Sequence, residues 1–385
     1  MRILLLCEGD AETADSWSGS ARSILAELRR RGHTVVTGDV ELYGLARWLA
    51  AGLSFSPDGR RWRTRYRLGG VGFVGRSLNA RKHVGRVGSD FDCIIQIGAT
   101  FVTAQHGGVP YALMSDSNIR LAVEGAATGY TQAVALSQRE LRNVERREAA
   151  VYRGAAAIFT LSERTRRSFI EDFELDADRI HTVHAGPNFD LSGLAAVGRD
   201  ENHPPTVLFV GKQFHRKGGD VLLAAFREVK RHVPSAVLTI VGPDRLDATE
   251  PGVVSLGFLS KDRPEEWATL LDAYRSADVF CLPTRFEPLG VAFLEAMHFA
   301  LPCVGTDVSA VREMVVDGET GFIVPADDVA TLASRLLRLL RDTELARKMG
   351  KAGQLRAQRC FTWEAVVERM LQVLGPLVER ARSGI

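Results

Sequence analysis

The chain has 385 residues, which is long enough for two domains that each bury a hydrophobic core. Apolar residues make up 45% and charged residues 25%, as in ordinary globular proteins, and the net charge of +2 makes no general case for nucleic acid binding. The five cysteines lack C-x-x-C spacing, so we expect reduced, buried thiols and neither a disulfide framework nor a metal site.

The N-terminal apolar run is shorter than the apolar core of a signal peptide, and Glu8-Gly-Asp10 follows it at once. The sequence contains no run of about 18 apolar residues, which is the length a membrane-spanning helix needs. We therefore expect a cytoplasmic protein.

Short apolar runs bounded by Gly, Pro and Asp alternate with amphipathic stretches, a pattern typical of parallel α/β architecture. In the first half it predicts a helix over residues 20–31, which Gly32 ends. The strands predicted in this half are residues 3–7, 93–97, 111–114, 157–161 and 180–184.

The pattern lapses at residues 193–205, a polar stretch that we interpret as a linker between domains over 1–192 and 204–362. Thr362 is suited to cap a last helix that continues to about Val378. Between the linker and this last helix, strands are predicted at residues 206–210, 236–241, 279–282 and 303–305. Helices are predicted there at 219–231, around Glu295 and at about 330–340.

Residues 59–89 contain eight Arg, one Lys and no acidic residue. Glycines at 69, 70, 72 and 75 argue against a regular amphipathic helix, so we expect a solvated or mobile loop. Contact with an acidic acceptor or with anionic lipid, as a peripheral membrane protein, is the alternative.

The segment from Arg285 to Glu295 has the most specific chemistry. Gly290 lets a ligand approach the backbone, and the apolar helix after it begins with unpaired N–H groups that suit a phosphate. A carboxylate can accept two hydrogen bonds from a vicinal diol, so Glu287 and Glu295 suit a sugar. The segment therefore predicts a nucleotide-sugar site, unless both Glu residues are simply solvated or cap a helix.

A glycosidase with Glu287 and Glu295 as its acid and base is a sharper alternative. In a continuous helix, eight residues separate two side chains by about 12 Å. Hydrolases place their two carboxylates about 5–9.5 Å apart, which disfavours this alternative unless the chain bends.

The loop Gly211-Lys-Gln-Phe-His-Arg-Lys-Gly218 follows the first strand of the second domain. Lys212 and Lys217 thus flank a turn at the carboxyl end of a parallel strand, where open α/β sheets bind their ligands. The alternative is that both lysines are solvated surface residues.

A family resemblance rests on a nearly unbroken set of motifs between Pro283 and Pro325. They are Glu287-Pro-Leu-Gly290, Glu295-Ala-Met297, Leu301-Pro-Cys-Val304, Asp307, Asp317-Gly-Glu-Thr-Gly321 and Val324-Pro325. In these motifs the chain resembles the retaining glycosyltransferases of family 4 (glycosyl transferases group 1), firmly over residues 206–358 and more loosely before them. The resemblance implies an α/β GT-B fold, with two Rossmann-like domains and a deep interdomain cleft.

The resemblance also implies roles for residues of the second domain. Glu287 would face the donor sugar near the reacting carbon, and Glu295 would bind the ribose diol. Lys217 matches a family Lys that neutralises the leaving diphosphate, whereas Lys212 stands where the family usually has Arg, a role that Arg216 could take over. The other donor-binding residues implied are Gly211, Gly242, Phe258, Leu289, Gly290 and Val291.

For the first domain, the resemblance implies acceptor binding and a C-terminal helix over 363–385 that packs back on it. Gly19 is what remains of the family's Gly-rich loop after the first strand, although it could equally belong to a helix cap. Asp116 stands near a position where the family often has His. It could position the acceptor hydroxyl or donor sugar, or cap the next helix.

We expect neither a metal nor another cofactor, because fixed cations and a helix N-terminus can stabilise a leaving diphosphate. Asp90-Phe-Asp92 has the form of a D-x-D metal motif, but its place just before a strand favours a turn. The expected partners are a nucleoside-diphosphate sugar and a hydroxyl acceptor of unknown type, whether small molecule, glycan or lipid-linked, with no nucleic acid.

The alternatives from other classes are a sugar-nucleotide epimerase and a non-catalytic nucleotide-sugar sensor. A nicotinamide dehydrogenase is less well supported, because no G-x-G-x-x-G follows the first strand.

Overall fold

The computed structural model describes residues 1–13, 16–88, 90–103, 108–189, 203–243, 246 and 250–383. The chain forms two compact units, Met1–Ala185 with Trp363–Ile385 and Gly186–Thr362. Each unit is built on a six-stranded sheet in which all described pairings are parallel. The predicted linker lies mostly outside the described residues.

The first unit has six strands and eight described α-helices. In chain order they are β1 Arg2–Cys7, α1 Ser20–Arg30, β2 Thr34–Asp39, α2 Gly44–Leu53, α3 Gly59–Leu68, α4 Gly70–Val87, β3 Cys93–Ile97, β4 Tyr111–Ser115, α5 Ile119–Glu124, α6 Gln138–Gly154, β5 Ala157–Thr160, α7 Glu163–Glu171, β6 Ile180–Thr182 and, after the second unit, the terminal helix Trp363–Ser383.

The sheet of the first unit has the order β2-β1-β3-β4-β5-β6. Strands β3, β4 and β5 are buried along their whole length, which is why they form continuous apolar runs in the sequence. The chain leaves β1 to one side for β2 and to the other for β3. The loops after β1 and β3 therefore border a crevice of the kind in which open α/β sheets bind ligands.

The terminal helix Trp363–Ser383 packs against α1. Arg31, at the end of α1, donates from Nη2 to the Glu364 carbonyl at 3.0 Å and forms an ion pair with Glu368. Arg369 donates to the Val183 carbonyl at 2.7 Å. The last helix is therefore part of the first unit.

The prediction of a solvated loop at residues 59–89 was wrong, because α3 and α4 occupy most of this segment. A Cβ on Gly72 would lie 2.3 Å from the Tyr66 carbonyl oxygen, and one on Gly75 would lie 2.9 Å from Leu42. These glycines therefore let α4 pack closely on its neighbours. Contact of this segment with lipid or an acidic acceptor stays a prediction.

Several arginines of α3 hold it to the rest of the first unit. Arg61 and Arg65 both bind Glu140, at 2.9 Å and 2.5 Å, in the first turn of α6. Arg60 donates to the carbonyls of Gly129 and Thr131. The positive charge of the segment is therefore partly consumed by internal contacts.

The second unit contains the remaining elements. They are β7 Thr206–Val210, α8 Gly219–His232, β8 Val237–Val241, β9 Val253–Gly257, α9 Pro264–Arg275, β10 Val279–Leu282, α10 Val291–His298, β11 Cys303–Thr306, α11 Val311–Met314, β12 Gly321–Val324, α12 Val329–Arg341 and α13 Thr343–Cys360; the terminal helix of the first unit is α14.

The sheet of the second unit has the order β12-β11-β10-β7-β8-β9. The order reverses between β7 and β10, so the loops that follow these two strands border the switch-point crevice. Most of the predicted donor-binding residues lie in these two loops or at the start of the helix that follows β10, while Gly242 and Phe258 follow β8 and β9. The nine predicted strands are present with ends shifted by at most two residues, while β2, β9 and β12 were not predicted.

Candidate functional site

The loop from Gly211 to Gly218 touches the neighbouring loops backbone to backbone. A Cβ on Gly218, which has φ 73°, would lie 1.9 Å from the Pro283 carbonyl oxygen. Gly242, with φ 125°, packs on Gly211, and a Cβ there would come within 2.5 Å of its backbone. Side chains at Gly218 and Gly242 would therefore push apart the loops that border the crevice.

Two cations and one carboxylate converge where the loops after β7 and β10 meet. Lys217 Nζ lies 3.1 Å from Glu287 Oε2, and Arg216 Nη1 lies 3.6 Å from the same oxygen. Arg216 also donates to the Phe286 carbonyl. Glu287 Oε2 nevertheless has no hydrogen bond within the described part of the chain, so it is free to accept one from a hydroxyl.

Lys212 is not part of this cluster. Its Nζ stands 3.9 Å above the ring of Phe258, a cation–π contact, and its side chain is exposed. The structure therefore groups Arg216, and not Lys212, with Lys217 and Glu287. Lys212 and Phe258, at the carboxyl end of β9, form a separate contact near Gly257.

An ion-pair network fixes the loop after β10. Arg285 binds both carboxylate oxygens of Asp220 at 2.8 Å and one oxygen of Asp327 at 2.7 Å. Burial alone would raise the pKa of Asp220, but the hydrogen bonds and the charge of Arg285, together with smaller contributions from a backbone hydrogen bond and His215, lower it. Since Asp220 is in the first turn of α8, Arg285 ties the two loops of the crevice together.

Helix α10 begins at the position where we predicted from the sequence that backbone N–H groups bind a phosphate. Gly290 is its N-cap in the left-handed conformation, with φ 85°, and Val291 is its first residue. The preceding Leu289 is 9% exposed. The first amides of a helix have no partner within it, and their dipole favours an anion.

Glu295 lies in α10 and is only 3% exposed. Tyr274 Oη donates to its Oε2 at 2.9 Å, Lys261 forms an ion pair with its Oε1, and the Asn188 amide lies 3.4 Å from Oε1. A ribose diol would have to share this carboxylate with Lys261 and Tyr274.

Sequence analysis did not identify Lys261 or Tyr274. Lys261 lies outside any helix or strand in a segment without a recognisable motif, and Tyr274 occupies an ordinary core position of α9. Tyr274 also stacks on Phe299, with ring centroids 4.9 Å apart. No sequence signal pointed to either residue as a partner of Glu295.

The first unit holds Gly19 and Asp116. Gly19, with φ 87°, is the N-cap of α1, which agrees with the cap interpretation of this residue. Asp116 follows β4 and lines a cavity of about 620 Å³ together with Glu8, Gly9 and Trp17. The interpretation of Asp116 as a helix cap was wrong, because Asn118 caps α5 by accepting a hydrogen bond from the Leu121 amide at 3.0 Å. Burial raises the pKa of Asp116.

Asp90 and Asp92 have structural partners. Arg2 forms an ion pair with Asp90 and donates its backbone amide to Asp92, which also accepts from Arg382 at 2.6 Å. In the described part of the chain, no three His, Cys, Asp or Glu side chains are grouped to hold a metal ion.

Among the described residues, no helix combines the length and apolarity needed to cross a bilayer.

Comparison with known proteins connects this site to a family. Residues 204–342 match the family model of glycosyl transferases group 1. The alpha-maltose-1-phosphate synthase of Mycolicibacterium smegmatis is 32% identical over 251 residues, which are 59% of this chain and 64% of that protein. The phosphatidyl-myo-inositol mannosyltransferase of Mycobacterium leprae is 35% identical over 189 residues, 48% of each protein. The chain thus spans about half to just under two-thirds of the length of these relatives.

Solved structures share the fold. Sucrose-phosphate synthase from Thermosynechococcus elongatus is similar with a TM-score of 0.69 at 20% identity, over 98% of this chain and 99% of that chain. WaaG, a glycosyltransferase involved in lipopolysaccharide biosynthesis, has a TM-score of 0.67 at 14% identity, over 97% and 99%. Anabaena HepE in complex with UDP-glucose has a TM-score of 0.62 at 16% identity, over 98% and 100%. Residues 204–342 thus match the glycosyl transferases group 1, and the chain has the GT-B fold, which confirms the resemblance to that family.

Proposed function

We propose that this protein is a retaining, metal-independent glycosyltransferase of the hexosyltransferase type. It moves a sugar from a nucleoside-diphosphate sugar to an acceptor hydroxyl. The observation that carries the proposal is the convergence of Lys217, Arg216 and Glu287 beside the start of α10, at the switch point of the second sheet. The UDP-glucose complex of the structural neighbour HepE supports a nucleotide-sugar donor.

The donor's diphosphate would lie between Lys217 and the first amides of α10, at Gly290 and Val291. Both partners favour an anion, and both are fixed before the donor arrives by the ties between the two loops. Fixed cations lose little free energy to reorganisation as charge develops on the leaving group. Glu295 would bind the ribose, and Glu287 would bind a hydroxyl of the sugar through the oxygen that faces Lys217 and has no hydrogen bond within the described residues.

In the reaction, the bond between the anomeric carbon and the β-phosphate oxygen breaks, and negative charge grows on that oxygen. Lys217 and Arg216 stabilise this charge. The acceptor hydroxyl forms the new bond on the same face of the sugar, and its proton passes to the departing phosphate.

The acceptor would be bound by the first unit. Its cavity beside Asp116 lies at the carboxyl ends of parallel strands, where a hydroxyl can be hydrogen-bonded. Because burial raises the pKa of Asp116, the conditions that protonate it extend to higher pH than for an ordinary Asp. Asp116 would position the acceptor in either protonation state, as an acceptor or a donor of a hydrogen bond.

The test is product analysis with the metal-free protein, using UDP-, GDP-, ADP- and dTDP-sugars and a mixed set of hydroxyl acceptors. We expect release of one nucleoside diphosphate together with a new glycoside that keeps the anomeric configuration of the donor. Conversion of the donor sugar without release of nucleotide would instead establish an epimerase. Donor binding without consumption in a single turnover would establish a sensor.

A further inference from the structure

A second cavity in the first unit, of about 790 Å³, opens between α2 and α3. Each helix contributes one face to it, with spacing typical of a helical stripe. The lining residues on these helices are Gly44, Arg47, Trp48 and Ala51 from α2, and Trp62, Arg63, Tyr66 and Arg67 from α3.

Helix α2 is unusual for a surface helix because its large side chains are apolar and mostly exposed. Its sequence is Gly-Leu-Ala-Arg-Trp-Leu-Ala-Ala-Gly-Leu, in which Ala50 is the one buried residue. Trp48 is 77% exposed, although it lines the cavity. Exposed apolar side chains that are grouped in this way mark surfaces that bind a ligand or a partner.

The polar end of the cavity has two buried atoms without hydrogen-bond partners. Arg76 is fully buried, and its Nε lies 3.1 Å from Glu8 Oε1. Arg76 Nη1 lies 3.8 Å from Glu41 Oε1, so both groups belong to ion pairs, but within the described residues neither Arg76 Nη1 nor Glu8 Oε1 forms a hydrogen bond. One is a donor and the other an acceptor, which is the pair of functions that a single hydroxyl group satisfies.

This cavity adjoins the one beside Asp116, because Glu8, Glu41 and Arg67 line both. A molecule in the two cavities would have hydroxyl groups near Glu8, Arg76 and Asp116. Its other end would lie against aromatic rings. Four arginines and two glutamates line the larger cavity, so a neutral or anionic molecule fits it better than a cationic one.

We infer that the acceptor is an amphipathic molecule, with a polyhydroxylated end bound near Glu8 and Asp116 and an apolar chain or ring bound between Trp48 and Trp62. This inference rests on the proposed function, since it names the acceptor class of that enzyme. An amphiphile of this kind can come from solution or from a bilayer, and the experiment separates the two sources.

The first measurement is calorimetric titration of the whole protein with octyl β-D-glucoside, below its micellar concentration, and with methyl β-D-glucoside. We expect the octyl compound to bind at least about tenfold more tightly, because its chain buries apolar surface. Trp48→Ala should remove most of this preference, and Ala51→Phe, which fills the cavity, should do the same. Leu45→Ala is the matched control, because Leu45 is exposed on α2 but does not line the cavity.

Equal affinity for the two glucosides would overturn the inference, as would equal losses in the Trp48 and Leu45 variants. Thermal melting of each variant checks that the chain still folds. Trp48 is suited to the test because a side chain so exposed contributes little to the core.

Co-sedimentation with phosphatidylcholine vesicles that contain no acceptor tests whether the protein binds a bilayer. Vesicle binding that is weakened in the Trp48 variant would show that the amphiphile comes from a bilayer, and octyl glucoside binding without vesicle binding would show that it comes from solution. Nucleotide binding to the second unit is measured separately. If a nucleoside diphosphate binds and octyl glucoside does not, the inference alone fails; if the reverse is found, the proposed function fails.

Discussion

The two units share one sheet architecture but build their candidate sites in different ways. In the second unit, two loops at one switch point supply Lys217, Arg216 and Glu287, and α10 supplies Glu295. In the first unit, the cavities draw residues from the loops after three strands and from three helices. A site built from short, nearby segments leaves a motif in the sequence, whereas a site assembled from distant helices does not.

The charges of the two units differ as well. In the second unit, cations and carboxylates are held in pairs, such as Lys217 with Glu287 and Lys261 with Glu295. In the first unit, burial raises the pKa of Asp116 and Glu148, and Glu8 and Arg76 have buried atoms without hydrogen bonds. The second unit is thus preorganised for a charged ligand by fixed cations, whereas in the first unit the buried carboxyl group of Asp116 lines a cavity.

Of the changes that test this comparison, Lys217→Ala in the second unit should have the largest effect on activity. Loss of the cation beside Glu287 removes stabilisation of the leaving diphosphate, and we expect kcat to fall about 100- to 1000-fold. Lys212→Ala is the matched control in the same loop, and it should change kcat less than about threefold, since Lys212 stands over Phe258 instead. Steady-state kinetics of both variants would contradict the assignment if their losses were equal.

Glu148→Gln probes the first unit alone. Burial raises the pKa of Glu148 to about 7, from an ordinary value of 4.5. Because the folded pKa is the higher one, the folded state binds more protons between these values, and wild-type stability falls as the pH rises from 4.5 to 7. Relative to the Gln variant, the free energy of unfolding of the wild type should fall by roughly 3 kcal/mol over this pH range, at about 1.36 kcal/mol per pKa unit.

Urea unfolding of wild type and the Gln variant at pH 5 and pH 8 measures this difference. The variant can still accept the hydrogen bond that Glu148 receives from the Ile119 amide. A difference between the two proteins that does not change with pH would show that Glu148 is ionised in the folded protein at both values.

Glu295→Gln tests the ribose site of the second unit. Removing the charge weakens the hydrogen bonds that a diol would donate, and we expect donor affinity to fall about tenfold with a smaller change in kcat. Glu319→Gln, at an exposed position, is the control. Unchanged nucleotide affinity in the Glu295 variant would mean that Glu295 serves only Lys261 and Tyr274.

Treatment with a chelator should have the smallest effect, namely none. The proposed mechanism stabilises the diphosphate with Lys217, Arg216 and helix amides, so activity should survive EDTA. Activity that is lost with EDTA and restored by Mg²⁺ or Mn²⁺ would refute metal independence and put the charge stabilisation elsewhere.

Sequence reasoning succeeded where residues close in the chain carry the geometry. The switch-point loops, the left-handed Gly290 and most buried strands follow from local patterns. It failed where distant contacts decide. The glycines of α4 suggested a loop, but Tyr66 and Leu42 supply close contacts that favour Gly in a helix. Edge strands such as β2 and β9 are only half buried and lack a continuous apolar run. Lys261 meets Glu295 across 34 positions, which no local pattern encodes.

The most direct test of the nucleotide-sugar site is thermal melting of the metal-free protein with UDP, GDP, ADP, dTDP and NAD, repeated with the Glu295→Gln variant. We predict that one nucleoside diphosphate raises the melting temperature of the wild type and that the rise is much smaller in the variant. No shift with any nucleoside diphosphate, or a shift with NAD alone, would contradict a nucleotide-sugar site in the second unit.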